Sequence, residues 1–186
     1  MNDVALATLP VADDLVADLP VTEPVRIRVA RISDVQAIAD LNNAYAAEQT
    51  MLVRSPESIA MAIEDYVVAV DARGRLLACG ALRSYSPSLA EVSAIAVRRE
   101  AHGRGLGRAI VAAVEQLARM REVEELFALT LTPGFFESIG YEVADRAIYP
   151  EKVRRDCLGC LRRAACREIC MRRPVGVRAQ LTASAA

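Results

Sequence analysis

The chain has 186 residues, of which 53% are hydrophobic and 25% charged, and its formal net charge is −1 from 23 basic and 24 acidic residues. A chain of this length and composition can bury one substantial core and is expected to form about one domain. The balanced charge argues against nucleic acid and anionic membranes as partners, and no run reaches the roughly 18 apolar residues of a transmembrane helix. We therefore expect a cytoplasmic protein with reduced cysteines.

The two ends of the chain are predicted to be tails. Residues 1–24 contain five acidic residues and no basic one, so they lack the positive charge of a signal or transit peptide and are expected to be flexible. Residues 175–186 are expected to form a second flexible tail. The folded domain is accordingly predicted over residues 25–174, with a cysteine-rich segment at residues 157–170.

Regular patterning begins at residue 25. The alternation in VRIRVAR predicts a strand, and the apolar period of DVQAIADLNNAYA predicts a helix that Ser33 would cap. A short helix is expected in ESIAMAIEDY, and two strands joined by the DARG turn are expected in YVVAVDARGRLLACGALRSY.

The second half of the domain continues with strands and helices. LAEVSAIAV is predicted to be a buried strand, GLGRAIVAAVEQLARM a helix with Leu106, Ile110, Val114 and Leu117 facing the core, and ELFALTLT another strand. PGFFESIGYE supplies a short helix that ends at Gly140, and the remainder is expected to be poor in strands. The predicted order before that short helix is β-α-α-β-β-β-α-β.

The sequence HGRGLG, residues 102–107, connects the buried strand to the long helix. The unpaired N–H groups at the start of a helix and the positive end of its dipole attract an anion, and glycines let a phosphate approach the backbone closely. The spacing is neither the dinucleotide G-x-G-x-x-G fingerprint nor a Walker loop. Taken alone, the pattern fits a simple turn as well as it fits a phosphate site.

This strand, loop and helix together resemble the GNAT superfamily of acetyl-CoA-dependent N-acetyltransferases, in which R/Q-x-x-G-x-G/A follows the fourth strand. The resemblance implies an α/β (α+β) fold in a single domain, with a mixed, mostly antiparallel sheet flanked by helices, and acetyl-CoA as co-substrate. His102 stands where the family has Arg or Gln, and Phe136 stands where many members have a Tyr that protonates the departing thiolate. The coenzyme contacts that the resemblance implies are Ile95, Ala96, Val97, His102, Gly103, Arg104, Gly105, Leu106, Gly107, Arg108 and Phe136.

Glu91 lies in the buried strand at the spacing of the catalytic glutamate of many GNAT enzymes. An amine must lose a proton before it can attack a thioester, and the apolar neighbours Leu89, Val92 and Ile95 would make a carboxylate a stronger base. The alternative is a glutamate that points outward into solvent at the start of the strand. The resemblance implies that Glu91 is the catalytic base.

A narrower resemblance covers roughly residues 25–156. The motifs LVRSPESIAMAIEDY, AEVSAIAV, FFESIGY and YPEKVRRD are similar, in order and spacing, to the acetyltransferase domain of N-acetylglutamate synthase in its short stand-alone form. This resemblance implies acetyl transfer to the α-amine of glutamate or glutamine, the first step of arginine biosynthesis. It also implies that Arg54, Lys152 and Arg155 hold the carboxylates of the amino-acid substrate, a task to which the two-pronged guanidinium is well suited.

Two other classes of function stay open. One is a GNAT enzyme for another amine, such as a polyamine, an antibiotic or a protein N-terminus. The other is a non-catalytic GNAT fold that senses acetyl-CoA. The departures from the family pattern at His102 and Phe136 favour such a sensor, and Glu91 argues against it. A homodimer is also left open.

The four cysteines of the C-terminal segment follow the spacing C-x2-C-x5-C-x3-C. If the last two lie on a helical turn, the set can form a tetrahedral structural zinc site, whereas a strand would carry the last cysteine away from the metal. Reduced packing cysteines and a redox-sensitive pair are the alternatives. The candidate ligands are Cys157, Cys160, Cys166 and Cys170.

Overall fold

The structure is a computed structural model that describes residues 24–176. The predicted tails therefore lie almost entirely outside the described residues.

The described chain forms one sheet with helices on both faces. The strands are β1 Arg26–Val29, β2 Tyr66–Val70, β3 Leu76–Ser84, β4 Leu89–Val97, β5 Glu125–Thr130, β6 Glu142–Ala144 and β7 Ile169–Pro174. The helices are α1 Val35–Ala47, α2 Pro56–Met61, α3 Leu106–Met120, α4 Pro133–Glu137 and the single turn α5 Pro150–Lys152. The predicted order β-α-α-β-β-β-α-β is confirmed. Between residues 24 and 176, no helix combines the length and apolar character needed to cross a membrane.

The strand order is β1-β2-β3-β4-β5-β7-β6, and every neighbouring pair is antiparallel except β4 and β5. The mixed, mostly antiparallel sheet is thus confirmed. β4 and β5 pair only where Leu89–Glu91 faces Glu125–Phe127. Beyond Glu91 the two strands have no further pairing, so the sheet opens as a wedge in its middle.

α3 forms the crossover between the two parallel strands, as a parallel connection requires. The four apolar side chains predicted to face the core are all buried, and they pack on β2, β3 and β4. The opposite face of the sheet is covered by α1 and α2 through the buried side chains of Ile38 and Ile59. β4, one edge of the wedge, is therefore packed by α3 on one face and by α1 on the other.

A β-bulge distorts β4 next to the wedge. The register with β3 shifts between Cys79 and Ala81, and Ala94 on β4 has a φ of 54°. Gly80 faces this bulge, and a Cβ at that position would lie 2.5 Å from both Ile95 Cδ1 and Ile110 Cγ2. The bulge therefore requires glycine on the neighbouring strand, and it bends β4 as bulges do.

Two local predictions were wrong. Ser33 does not cap α1, because a 3-10 turn over Ile32–Asp34 precedes the helix. The Asp34 carboxylate instead accepts the Arg31 N–H at 2.7 Å and pairs with the Arg28 guanidinium at 2.6 and 3.0 Å.

The C-terminal part is also not poor in strands, since β6 and β7 lie there and β7 pairs with β5 over six residues. Because β7 contains two arginines, its sequence lacks the apolar alternation that predicts a strand. Arg173 reaches Glu115 on α3 at 3.0 Å, and Arg172 lies on the exposed face.

Candidate active site

The wedge between β4 and β5 contains a cavity of about 880 Å³. One wall is β4 from Glu91 to Ile95, and the other is the end of β5 together with Phe135 and Phe136 of α4. Residues 50–54, which follow α1, and the segment 152–162 close one end of the cavity. The opening of the sheet thus creates a cleft with backbone on both sides, because the β4 edge that faces β5 has no strand partner beyond Glu91.

Glu91 lies at the narrow end of this cleft and is only 5% exposed. The carboxylate points inward, as the prediction of a buried base requires, and not into solvent. Its Oε2 accepts hydrogen bonds from the Tyr85 hydroxyl at 2.8 Å and from Lys152 Nζ at 2.9 Å. Arg83 is the cross-strand neighbour of Glu91 on β3.

A second carboxylate, Asp156, completes this cluster. Its Oδ2 accepts from Lys152 Nζ at 3.2 Å and lies closer to the Tyr85 hydroxyl than Glu91 does, so the two carboxylates share the single hydroxyl proton. Its Oδ1 accepts from Arg83 at 2.7 Å. Burial alone would raise the pKa of Asp156, but the Tyr85 hydroxyl, Lys152 and Arg83 outweigh it and hold that pKa below its ordinary value. We call these five residues, Arg83, Tyr85, Glu91, Lys152 and Asp156, the carboxylate network.

The three residues predicted to bind substrate carboxylates all line the same cleft. Arg54 is half-buried, and the Asn43 side chain fixes its backbone through two hydrogen bonds of 3.0 Å. Lys152 is committed to the carboxylate network. Arg155 is exposed, stacks with Cζ 3.8 Å from the Tyr85 ring centroid, and donates to the Ser84 carbonyl at 2.9 Å.

The glycine loop lies at the N-terminus of α3. Gly103 and Gly105 have φ angles of 74° and 77°, in the left-handed region that favours glycine. Gly107 is different, because a Cβ there would meet the Phe135 ring at 3.5 Å, an ordinary contact. Packing therefore does not require glycine at position 107, whereas a phosphate held by the free N–H groups of the first helical turn would. The loop thus fits the pyrophosphate of acetyl-CoA.

Two other residues predicted to contact coenzyme, His102 and Arg108, make polar contacts within the protein. His102 Nε2 lies 2.9 Å from the Val97 carbonyl oxygen and 2.9 Å from the Tyr45 hydroxyl. These contacts connect the glycine loop to the end of β4 and to Tyr45 on α1. Arg108 donates to Ser138, which joins α3 to the residue that follows α4.

Of the remaining members of that set, Ile95 and Phe136 line the cleft, whereas Ala96, Arg104 and Leu106 do not. Leu106 and Ala96 are buried, so only their backbone atoms can serve a ligand. Ile95 packs partly on the core. Phe136 is buried between Phe135 and Tyr141 in edge-to-face contacts of 5.2 Å. Arg104 is half-buried at the loop.

Sequence reasoning missed three members of the carboxylate network, namely Arg83, Tyr85 and Asp156. A signal for two of them was present: the hairpin register places Arg83 opposite Glu91, and Asp156 follows Lys152 by four residues, one helical turn. Tyr85 follows β3 directly and carried no motif.

The four-cysteine zinc site is not supported by the structure. No group of three or more His, Cys, Asp or Glu side chains in residues 24–176 is arranged to hold a metal ion. Cys170 is buried in β7, and the strand carries it away from the others. Cys166 accepts from Arg146 at 3.4 Å and contacts Glu168 at 3.6 Å.

Comparison with known proteins identifies the family. The sequence profile of the acetyltransferase (GNAT) domain matches residues 62–143. An uncharacterized N-acetyltransferase of Chlorobaculum tepidum is 40% identical over 145 residues, which cover 78% of this chain and 93% of that protein. An amino-acid acetyltransferase of Mycobacterium tuberculosis is 34% identical over 117 residues, which cover 62% of this chain and 67% of the relative.

Solved structures with the same fold include complexes with coenzyme. A Mycobacterium tuberculosis protein in complex with CoA and NLQ superposes with a TM-score of 0.71 at 27% identity, covering 80% of this chain and 98% of that one. N-acetylglutamate synthase from Neisseria gonorrhoeae, complexed with CoA and N-acetyl-glutamate, superposes with a TM-score of 0.73 at 27% identity, covering 82% of this chain.

Some of these relatives are much longer. This chain covers 35% of the Neisseria gonorrhoeae protein and 30% of the amino-acid acetyltransferase of Pasteurella multocida, to which it is 30% identical over 131 residues. The matched family profile, residues 62–143, covers Glu91, the glycine loop and both strands of the wedge. The chain therefore belongs to the GNAT family of acetyl-CoA-dependent N-acetyltransferases.

Proposed function

We propose that this enzyme transfers the acetyl group of acetyl-CoA to the α-amine of L-glutamate or L-glutamine, the first step of arginine biosynthesis. The observation that carries the proposal is a buried carboxylate, Glu91, in a cleft lined by an excess of fixed positive charge. Further support comes from relatives named amino-acid acetyltransferase and from the similar structure complexed with N-acetyl-glutamate.

The charge of the cleft favours an acidic acceptor. Five cationic and three anionic side chains line it. The cations are Arg54, Arg83, Lys152, Arg155 and Arg162, and the anions are Glu91, Asp156 and Glu168. A polyamine or an aminoglycoside would add several positive charges to this surplus, whereas a carboxylate substrate offsets it and gains charge-assisted hydrogen bonds.

The chemistry follows from the positions of the side chains and the backbone. The N–H groups of the glycine loop bind the pyrophosphate, and the open edge of β4 offers hydrogen-bonding groups to the pantetheine arm and to the acetyl carbonyl. Glu91 removes a proton from the substrate ammonium, and the resulting amine attacks the acetyl carbon. The CoA thiolate leaves without a nearby tyrosine at position 136, which is tolerable because a thiol has a pKa of about 8.5.

One assay separates this proposal from the two other classes. The full chain is incubated with acetyl-CoA and, in parallel, with the common amino acids, spermidine, an aminoglycoside and a peptide with a free N-terminus, and acetylated products are measured by mass. We expect the highest kcat/KM with glutamate or glutamine. A preference for spermidine or the aminoglycoside would favour a different acceptor, and binding of acetyl-CoA without any product would favour a sensor.

The base assignment has its own test. Glu91→Gln removes the proton acceptor, so we expect turnover to fall by about 10² or more at neutral pH with acetyl-CoA binding retained. Near-normal turnover of this variant between about pH 6 and pH 9 would contradict the assignment.

A further inference from the structure

The two oxygens of Glu91 are in different environments. Oε2 accepts from Lys152 at 2.9 Å and from the Tyr85 hydroxyl at 2.8 Å, whose single proton it shares with Asp156 Oδ2. Oε1 has no hydrogen-bond donor among residues 24–176, and the Glu91 side chain lines the cleft. A carboxylate held at one oxygen by two donors cannot rotate freely, so the other oxygen is presented to the cleft in a fixed direction.

Tyr85 is suited to be a permanent donor to Glu91. Burial and the neighbouring Glu91 and Asp156 carboxylates raise the pKa of Tyr85 far above its ordinary value, so the hydroxyl keeps its proton at neutral pH. Its ring lies between Phe127, with a centroid distance of 5.3 Å, and Arg155 at 3.8 Å. Its backbone N–H donates to Leu89 at the start of β4, at 2.9 Å.

We infer that Tyr85 is a positioning residue for the reaction, which fixes Glu91 through Oε2 so that Oε1 receives the proton of the acceptor ammonium. The inference rests on the proposed role of Glu91 as base. In the step itself, the N–H bond of the ammonium breaks and an O–H bond forms at Oε1. Tyr85 gains and loses no proton.

Several other charged groups face Glu91 and must be held constant in a test. Lys152 and Asp156 lie above it on the segment after β6, Arg83 lies beside it on β3, and Cys170 faces it from β7. Tyr85→Phe keeps all four side chains and the packing of the ring between Phe127 and Arg155, and it removes only the hydroxyl with its contacts to Glu91 and Asp156. The variant therefore isolates the hydroxyl.

The chain offers a matched control on the other side of the same aromatic cluster. Tyr149 stacks on Phe127 with a centroid distance of 4.4 Å and donates its hydroxyl to Glu125 at 2.8 Å. Tyr149→Phe therefore removes the same kind of buried hydrogen bond from a tyrosine to a glutamate without touching Glu91.

The experiment compares wild type, Tyr85→Phe, Tyr149→Phe and Glu91→Gln in acetyl-CoA affinity, melting temperature, and kcat and KM for the best acceptor. We expect Tyr85→Phe to lower kcat about tenfold, since a hydrogen bond to a charged group is lost, with acetyl-CoA affinity unchanged. The acceptor KM is expected to change little, since Tyr85 is not among the residues that line the cleft. Tyr149→Phe should match wild type in both respects.

The outcomes separate this inference from the proposed function. A wild-type kcat for Tyr85→Phe, with Glu91→Gln inactive, would overturn the positioning role and leave Glu91 as the base. Equal losses in the two tyrosine variants would also overturn it, because they would indicate a general loss of packing. Full activity of Glu91→Gln would contradict both the role of Glu91 as base and the positioning role of Tyr85.

Discussion

At the residue scale, Arg54 and Lys152 differ in how much of their charge is available to a substrate. Lys152 is only 9% exposed, and its ammonium is paired with two carboxylates, at 2.9 and 3.2 Å. Arg54 lines the cleft and forms no ion pair with a carboxylate in the part of the chain that the structure describes. Because its charge is not offset, Arg54 is the stronger candidate for the substrate carboxylate, while Lys152 first serves to hold Glu91.

We therefore expect Arg54→Ala to raise the acceptor KM at least about tenfold and to leave the acetyl-CoA KM nearly unchanged, since one charge-assisted hydrogen bond is worth about 1.5 to 3 kcal/mol. Steady-state kinetics with each substrate varied in turn measures both constants. Arg154→Ala is the matched control, because Arg154 is exposed and pairs only loosely with Glu151, at 3.7 Å. Equal increases in the two KM values for Arg54→Ala would indicate that Arg54 shapes the fold or the coenzyme site instead.

At the element scale, the glycines at the start of α3 differ in whether the fold or the ligand requires them. Gly103 and Gly105 adopt backbone conformations that disfavour other residues. A substitution at either position would therefore weaken ligand binding through backbone strain as well as through loss of the phosphate contact. Gly107 lies in the first turn of the helix with room for a methyl group. This position therefore tests whether a ligand approaches the helix N-terminus.

For Gly107→Ala we expect a melting temperature at or above that of wild type, because alanine is favoured over glycine in a helix by up to about 1 kcal/mol. Acetyl-CoA binding, measured by calorimetry, should weaken about tenfold or more, since the methyl group blocks the approach of a phosphate to the N–H groups. Gly134→Ala in α4 provides the comparison, as a Cβ there meets only the end of the Glu137 side chain, at 4.0 Å. Unchanged binding by Gly107→Ala would place the pyrophosphate elsewhere.

At the scale of the whole molecule, acid stability depends on how β1 is joined to α1. Burial would raise the pKa of Asp34, but Arg28, the Arg31 N–H and the nearby charges hold that pKa below its ordinary value. A carboxyl with a lowered pKa in the folded state stabilises the protein above the unfolded value of about 3.9, and this contribution is lost as the pH falls through the lower, folded value.

We expect the melting temperature to fall steeply below about pH 4 and expect Asp34→Asn to lose stability at neutral pH while flattening this acid limb. Differential scanning calorimetry from pH 7 to pH 3 measures the difference between wild type and variant. Asp40→Asn is the control, since Asp40 is exposed and accepts only from Gln36 one turn away on α1. If Asp34→Asn and wild type lost stability in parallel as the pH falls, the ion pair would not govern the acid limb.

The sequence predicted most of the fold because its central elements have strong periodicities. β4, the glycine loop and α3 were located from the alternation of apolar residues, the glycines and the apolar stripe. The segment of β7 was left open between a strand and a helical turn, because its arginines serve partners elsewhere, as Arg173 does with Glu115. The start of α1 was misplaced because the Asp34 side chain, and not that of Ser33, accepts the backbone N–H.

The candidate site could be predicted only in part. Glu91, Arg54, Lys152 and Arg155 were selected by family resemblance, and all four line one cleft. The contact between Tyr85 and Asp156 could not be predicted, because it joins residues that are 71 positions apart in the sequence. No local pattern carries a contact of that range, which depends on the path of the chain after β6.

The short pairing of β4 with β5 has a consequence for how this enzyme can change. A single crossover unit, residues 89–130, contains the proposed base, the glycine loop and both sides of the opening. Arg54 and Arg155, which are proposed to meet the acceptor, lie outside this unit. Substitution of either residue leaves the base and the glycine loop in place, so the acceptor preference can change without loss of the transfer chemistry.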